Sequence, residues 1–117
     1  MPSEPDHLTK AVCNETFADS LNLVGRTEAE WALTALFYAA LHYVEAYLSR
    51  QFGFHSGTHE SREKAINKDA RLRRAYVEYA ELKTLGRVAR YELTSFGRQE
   101  YFQARPHLRA LKAKIGY

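Results

Sequence analysis

The residues best suited to chemistry follow the most apolar stretch of the chain, in a polar loop and at the start of the next predicted helix. His55, His59 and Arg62 fall there. His55 and His59 are four residues apart, a spacing that suits two metal ligands on one helix. The Ser-Gly pair between them predicts a loop instead. Two histidines would also need a third donor and a fixed backbone to hold a metal. We therefore expect no metal and no cofactor.

A phosphate site is a second interpretation of the same residues. Thr58 is a good N-cap, so the short helix predicted for Glu60–Lys68 directs its unpaired backbone N–H groups toward the loop. His59 and Arg62 could add positive charge there. The alternative is a helix cap with surface histidines and no ligand, and the residue types leave both open.

Two polar residues interrupt an otherwise apolar helix upstream of this loop. His42 and Glu45 are three apart and Tyr38 precedes His42 by about one turn, so the three side chains can share one stripe. Either Glu45 orients His42 in a titratable site, or the three form a buried polar network closed by an arginine from the helix predicted to start at Ala70. Buried polar groups are normally paired for structural reasons, so we expect the network.

Arginines crowd the C-terminal half of the chain. Arg71 and Arg74 are three apart, as are Arg87 and Arg90, so each pair shares a helix face. A guanidinium group suits phosphate, and neighbouring tyrosines could stack on bases. The alternative is ion pairing with acidic residues of the same helix and of the first half of the chain.

Composition and charge set broad limits. The 117 residues predict one globular domain, and the single Cys13, expected to pack on the first helix, excludes an internal disulfide and a cysteine-rich zinc site. Met1–Lys68 holds six basic and nine acidic side chains, whereas Asp69–Tyr117 holds eleven basic and five acidic ones. The surplus of positive charge in the second half favours either a polyanion partner or a solvated arginine-rich face. No secretory signal is visible, so the predicted location is cytoplasmic.

The remaining elements must surround Trp31–Leu48, which is apolar on nearly every side of a helix and therefore predicts a buried helix. His42, Glu45 and the polar flanks argue against a membrane span. No segment alternates with period two, so the fold class is all-α, an antiparallel four-to-five-helix bundle with up-and-down connections.

Local signals place the helix boundaries. The first helix starts at a Ser3 cap and runs to about Asn22; the second starts at a capping box, Thr27 to Glu30, and runs to about Gln51, with Gly53 as its stop. After the short helix, Asp69 is predicted to cap one continuous helix from Ala70 to Leu93, with Gly86 at a close packing point. A turn at Thr94–Gly97 and a last helix, Tyr101–Ile115, follow, and Pro106 predicts a kink or a break in that last helix.

Two segments, FYAALHYVEAYLSRQFGFHSGTHESR and YAELKTLGRVARYEL, resemble the HEPN superfamily of small helical domains. The shared features are a tyrosine-rich second helix (Phe37–His42), a Thr-His pair (Thr58 and His59) and an Arg-x-x-Ala-Arg-Tyr segment (Arg87–Tyr91). The likeness covers roughly Glu30 to Glu92. It implies a helical bundle that commonly dimerises, in a family of RNA-cleaving toxins, nucleotide-binding modules and inactive scaffolds.

The ribonuclease members carry Arg and His four to six residues apart, Arg stabilising phosphate and His acting as acid or base. Arg50 and His55 match that spacing here, although they end the second helix, whereas the family's motif lies later in the bundle. So short a motif also arises by chance.

Two functions follow as hypotheses. The first is a HEPN-like domain that binds RNA or a nucleotide through Arg62, Arg71, Arg74 and Arg87. It could extend to a metal-independent ribonuclease of toxin–antitoxin type, in which the catalytic residues would be His55, His59, Arg50 and Arg90. The second is a non-catalytic module, either a homodimer or the partner of a separate nucleotidyltransferase-like antitoxin. We expect a homodimer and no membrane association.

Overall fold

A computed structural model describes residues 2–21, 26–91 and 98–117, and within these ranges the chain is helical with no strand, which confirms the all-α prediction. The helices are α1 (Glu4–Ser20), α2 (Arg26–Phe52), α3 (His59–Lys68), α4 (Ala70–Arg74), α5 (Tyr76–Tyr91) and α6 (Arg98–Ile115).

The capping signals predicted at Ser3, Thr58 and Asp69 are confirmed. Ser3 and Asp6 form a capping box at the start of α1, and Thr58 with Ser61 forms one at α3. Asp69 caps α4 through the backbone N–H of Leu72. Gly53, with φ of 61°, follows the end of α2 in the left-handed region that favours glycine.

The helix α2 lies at the centre and contacts α1, α5 and α6. Among the long helices α1, α2, α5 and α6, each runs antiparallel to the next, and α1 is antiparallel to α6, because residues in the first half of one meet residues in the second half of the other. The contacts that show this are Glu4 with Arg50 and Tyr117, Asp19 with Tyr101, Glu78 with Lys114, and Gly86 with Phe37. Helices α2 and α6 run parallel, since Arg50 near the end of α2 donates to the Ile115 carbonyl at the end of α6. The long helices therefore alternate in direction along the chain.

Gly86 brings α5 close to α2. A Cβ atom built on Gly86 would lie 2.9 Å from the Cβ of Phe37, closer than packed carbons tolerate. The predicted close approach at this glycine is confirmed, and it sets the position of the residues that follow on α5.

Polar side chains join α1 to α6 in what we term the ionic seam, made of Glu15, Asp19, Tyr43, Tyr101, Arg105 and Lys112. Arg105 donates to both Glu15 and Asp19, at 2.6 and 2.9 Å, and Lys112 donates to Glu15 at 3.0 Å. The acidic first half and the basic second half therefore neutralise one another along this seam.

Three predicted boundaries need correction. The helix from Ala70 is interrupted at Ala75, whose N–H reaches the carbonyls of both Arg71 and Leu72, a tightened turn between α4 and α5. Helix α2 begins at Arg26, so Thr27 lies in its first turn and is not the cap. Helix α6 continues through Pro106, so the predicted break there is wrong, and the alternative, a kink, stays a prediction.

Two side chains predicted to be buried are exposed. Trp31 is 59% exposed because it lies on the side of α2 that its neighbours leave uncovered, and Cys13 is exposed on α1. The rest of the central helix fits the prediction, since Leu41 and Val44 are buried. The predicted helix ends at Asn22 and Leu93 and the turn Thr94–Gly97 lie outside the described residues.

No helix in the described part of the chain is long and apolar enough to cross a membrane.

Candidate functional site: a histidine cluster and an arginine on aromatic rings

Three histidines and a glutamate meet where the start of α1 packs against the second half of α2. His7 lies on α1, His42 and Glu45 on α2, and His55 in the loop between α2 and α3. We term these four residues the histidine cluster. His7 and Glu45 are buried, at 4% and 1% exposure, whereas His42 and His55 are partly exposed. The cluster therefore opens to solvent on the side of the loop.

The rings form a chain of short contacts. His7 Nδ1 lies 3.1 Å from His42 Nδ1, and His7 Nε2 lies 3.2 Å from His55 Nδ1. The His7 and His55 rings are stacked, with centroids 5.2 Å apart. His55 Nδ1 also lies 3.5 Å from Glu45 Oε2. Three donor atoms, one each from His7, Glu45 and His55, thus lie within 4.8 Å of one another.

Glu45 is an ionised carboxylate in this setting. Burial would raise its pKa, but hydrogen bonds from Ser56 and Arg62 outweigh burial and lower the pKa below its usual value. The backbone N–H of Ser56 donates to Oε2 at 3.1 Å, the Ser56 hydroxyl donates to Oε1, and Arg62 Nε donates to Oε1 at 2.8 Å. Both oxygens of the buried carboxylate are therefore satisfied.

Two of the rings are held neutral. Burial, then the nearby His7 and Lys10, lower the pKa of His42 to about 4. Burial also lowers the pKa of His7, and His55 adds to the shift while Glu45 opposes it. At neutral pH each of these rings carries one proton and offers one lone pair.

The buried carboxylate favours one placement of the protons in the cluster. His55 Nδ1 faces both His7 Nε2 and a carboxylate oxygen, so it must carry a proton, since a lone pair there would face the negative charge. His7 then accepts at Nε2 and donates from Nδ1 to His42. A single proton on His55 Nδ1 is shared between two acceptors.

Arg62 links the cluster to His59. Its Nη1 lies 3.1 Å from His59 Nδ1, and because a guanidinium only donates, His59 Nδ1 accepts. Burial and then the charge of Arg62 lower the pKa of His59, so the ring is neutral at pH 7 with its proton on Nε2. His59 can thus donate a hydrogen bond from Nε2, but it is poorly placed to act as a base.

A second feature, the Arg90 face, lies on the other side of His59. We define it as Arg90 with the rings of Phe37, Tyr38 and Tyr91, whose centroids lie 5.6, 5.5 and 5.2 Å from the guanidinium carbon. The His59 ring stacks on Phe37 at 6.2 Å. Within the described ranges, Arg90 Nε and Nη1 are buried and have no hydrogen-bond partner.

A pocket of about 340 Å³ adjoins the Arg90 face and is lined by Glu30, Trp31, Thr34, Ala89 and Arg90. Trp31, Tyr38 and Tyr91 all expose more than a third of their surface here. Flat apolar rings beside an unsatisfied guanidinium are a combination that suits a base and a phosphate together.

The other predicted arginines lie elsewhere. Arg71 and Arg74 line a separate cavity of about 470 Å³ with Lys114 at the opposite end of α5, and the structure describes no ion pair for Arg71, Arg74 or Arg87 with a carboxylate. Glu78 pairs with Lys114 instead. The expected arginine face is therefore split between the two ends of the bundle.

Two predicted roles are not supported by the geometry. Arg62 is 5% exposed and bound to Glu45 and His59, so it is not available to nucleic acid. Arg50 donates to the Ile115 carbonyl and stacks on Tyr47 and Tyr117. No contact in the described part of the chain joins Arg50 to His55, so the geometry gives no support to a catalytic pair.

The expected polar network exists with different members. Tyr38 is not part of it, since 38% of the side chain is exposed and its ring meets Phe37 and Arg90. The arginine that closes the network is Arg62 of α3, not one from the helix predicted to start at Ala70. His7 was not anticipated because it is 35 residues from His42; only the antiparallel packing of α1 on α2 brings the two together.

Comparisons with protein-family models, with curated proteins and with solved structures found no match. The functional argument therefore depends on the residues of this chain.

Proposed function

We propose that this chain is a HEPN-like helical domain that binds RNA or a nucleotide at the Arg90 face. The observation that carries the proposal is the Arg90 guanidinium, with two buried N–H groups that find no partner in the described part of the chain. A buried donor without an acceptor is costly, so such a group is a candidate to receive a ligand oxygen. A phosphate oxygen fits, because guanidinium binds phosphate through charge-assisted hydrogen bonds.

The surroundings favour a nucleotide over a bare anion. Tyr38, Tyr91 and Trp31 offer exposed aromatic surface next to Arg90, and stacking on such rings contributes about 1–3 kcal/mol per base. His59 adds a hydrogen-bond donor at Nε2 without a second full charge. The HEPN-like arrangement, a cytoplasmic location and a homodimer remain parts of this proposal.

Binding is better supported than cleavage. A metal-independent ribonuclease needs a histidine that can take a proton, and His59 Nδ1 is already engaged by Arg62 while its Nε2 carries the proton. His55 is engaged with His7 and Glu45. We therefore propose a binding function, and include cleavage only as an outcome that the same experiment can detect.

The test is a filter-binding titration of a labelled single-stranded RNA at about 50 mM salt, where screening is weak. Arg90→Gln is expected to weaken binding about tenfold or more and to reduce the salt slope by about 0.7, the value for one lost phosphate contact on single strands. The matched control is Arg87→Gln, which removes an exposed arginine one turn away.

The results of this titration can overturn the proposal or extend it. No retention of RNA by the wild-type chain overturns the proposal, as does an equal loss in Arg87→Gln. Replacing Arg71 and Arg74 by Glu tests whether RNA extends to the other end of α5; a flattened slope there shows that it does. His59→Ala should keep most binding, and any RNA cleavage that it abolishes would restore the ribonuclease hypothesis.

A second candidate, the interaction module, is favoured by apolar side chains on the outside of the bundle. Val12 and Phe17 on α1 and Phe102 on α6 are about half exposed. A second copy of the chain or a nucleotidyltransferase-like antitoxin could cover them. Sedimentation at micromolar concentration tests the homodimer, and a single 13.5 kDa species would count against it.

A further inference from the structure

We propose that His7, Glu45 and His55 form a binding site for a divalent transition-metal ion of the zinc type, a function separate from RNA binding. The set consists of two imidazole nitrogens and one carboxylate oxygen, the donors that zinc and its neighbours in the first transition row accept. His7 and Glu45 are buried in the helix pair, and His55 closes the site from the loop.

The distances between the donor atoms fit a metal. Around a tetrahedral zinc with bonds of about 2.0–2.2 Å, ligand atoms lie about 3.3–3.6 Å from one another. In the cluster, His7 Nε2 and His55 Nδ1 are 3.2 Å apart, and His55 Nδ1 and Glu45 Oε2 are 3.5 Å apart. Two of the three pairs therefore already stand close to the spacing that one ion requires, and the third pair, His7 with Glu45, lies within 4.8 Å.

The hydrogen-bond pattern also favours a cation over a proton. Without metal, one proton on His55 Nδ1 serves both His7 Nε2 and Glu45 Oε2. A divalent ion in its place would receive a lone pair from each of the three atoms at once. A neutral His55 ring that binds the ion through Nδ1 carries its one proton on Nε2, so that proton changes nitrogen by exchange with solvent and the cluster loses no net proton.

The outer partners of the three ligands are already in place. With a metal on Nε2, His7 carries its proton on Nδ1 and donates it to His42 Nδ1, 3.1 Å away. Glu45 keeps Oε1 bound to Arg62 and the Ser56 hydroxyl, and Oε2, which accepts the Ser56 backbone N–H at 3.1 Å, has a further lone pair for the ion. Such second partners orient metal ligands and fix the histidine tautomer.

One feature weakens the site, and it sets the expected affinity. Arg62 neutralises part of the Glu45 charge, because its Nε lies 2.8 Å from Oε1. We therefore expect a micromolar site with three protein ligands, in which water or another small ligand occupies the remaining position on the side of His55.

The experiment is a calorimetric titration of untagged, chelator-treated protein with Zn²⁺, with Mg²⁺ as the hard-cation control. One Zn²⁺ per chain is expected, and no heat from Mg²⁺. With Co²⁺, a visible absorption band should report nitrogen and oxygen ligation directly. Zn²⁺ should also raise the melting temperature, since an ion that binds only the folded chain stabilises it.

Variants assign the ligands. His55→Ala, in the partly exposed loop, should lower Zn²⁺ affinity at least about a hundredfold, and Glu45→Gln, which keeps the side-chain shape, should do the same. His42→Gln should cost about 10–100-fold, as loss of an outer partner does. The matched controls are His59→Ala and His107→Ala, which remove histidines outside the cluster and should leave binding unchanged.

Two results would overturn the site: no stoichiometric Zn²⁺ binding by the wild-type chain, or equal losses in His55→Ala and His107→Ala, which would mean adventitious surface binding. Circular dichroism of each variant checks that it folds. Arg90→Gln should retain Zn²⁺ binding, so failure of the metal site and failure of the RNA proposal can be told apart.

Discussion

Helix α1 carries two polar regions about two turns apart that differ in kind. The ionic seam, which starts at Glu15, joins groups whose charges are fixed: two carboxylates receive donors from Arg105, Lys112 and two tyrosines. The histidine cluster, which starts at His7, joins imidazole rings whose protons can move between nitrogens. Every seam contact has one possible donor, whereas the cluster shares one proton between two acceptors.

The difference indicates separate roles. A set of fixed, complementary charges stabilises one packing of α1 on α6 and offers nothing to a ligand. Neutral imidazoles beside an ionised, buried carboxylate offer lone pairs and negative charge in a site that opens to solvent through His55. Polar residues on one helix can thus be structural at one end and poised for a ligand at the other.

The largest effect is expected where the cluster meets a buried charge. Glu45→Ala leaves Arg62 buried without its carboxylate and should lower the free energy of unfolding by about 3–5 kcal/mol, measured by urea denaturation with chelator present. The control, Glu63→Ala, removes a partly exposed partner of Lys83 and should cost less than about 1 kcal/mol. A loss of similar size in both variants would mean that the Arg62 pair is not special.

The seam should respond to loss of its central cation by a smaller amount. Arg105→Ala removes the hydrogen bonds to Glu15 and Asp19, and we expect a loss of about 1.5–3 kcal/mol in the free energy of unfolding. Arg109→Ala, an exposed arginine one turn further along α6, is the control and should change little. Equal effects of the two substitutions would show that the seam contributes no more than general charge.

The two regions should also contribute to folding stability over different pH ranges. The folded-state pKa of His42, about 4, lies below its ordinary 6.5, so its contribution is present above pH 6.5 and is lost as pH falls toward 4. His7, Lys10, Glu45 and Arg62 are the groups whose charges act on it. Because the ring is partly exposed, we expect a loss of about 1–2 kcal/mol across this window.

Glu15 titrates in a different window. Burial opposes the shift, but hydrogen bonds from Tyr43, Lys112 and Arg105 lower its pKa below 4.5, so its contribution persists above pH 4.5 and is lost only below it. Urea denaturation of metal-free protein should therefore show that the free energy of unfolding falls between about pH 7 and pH 5. This fall should be smaller in His42→Gln and unchanged in Glu15→Gln. The reverse pattern would contradict the assignment of the two windows.

The sequence predicts the elements of this fold better than its sites, for a physical reason. Caps such as Ser3, Thr58 and Asp69 act within one turn, so local residues suffice to find helix starts. His7 enters the cluster through a contact across 35 residues that no local spacing contains. The interruption at Ala75 and the exposure of Trp31 likewise depend on which neighbours cover each helix face.

The smallest expected effect compares two hydroxyl groups in the seam. Tyr43 donates to Glu15, whose side chain is 13% exposed, and Tyr101 donates to Asp19, which is 44% exposed. Water can replace the lost donor at Asp19 more easily than at Glu15, so Tyr43→Phe should cost about 1 kcal/mol of unfolding free energy and Tyr101→Phe less. Both changes keep the ring, which makes each the control for the other. If Tyr101→Phe costs more, burial of the acceptor does not decide the strength of these bonds, and the seam's stability would have to come chiefly from Arg105 and Lys112.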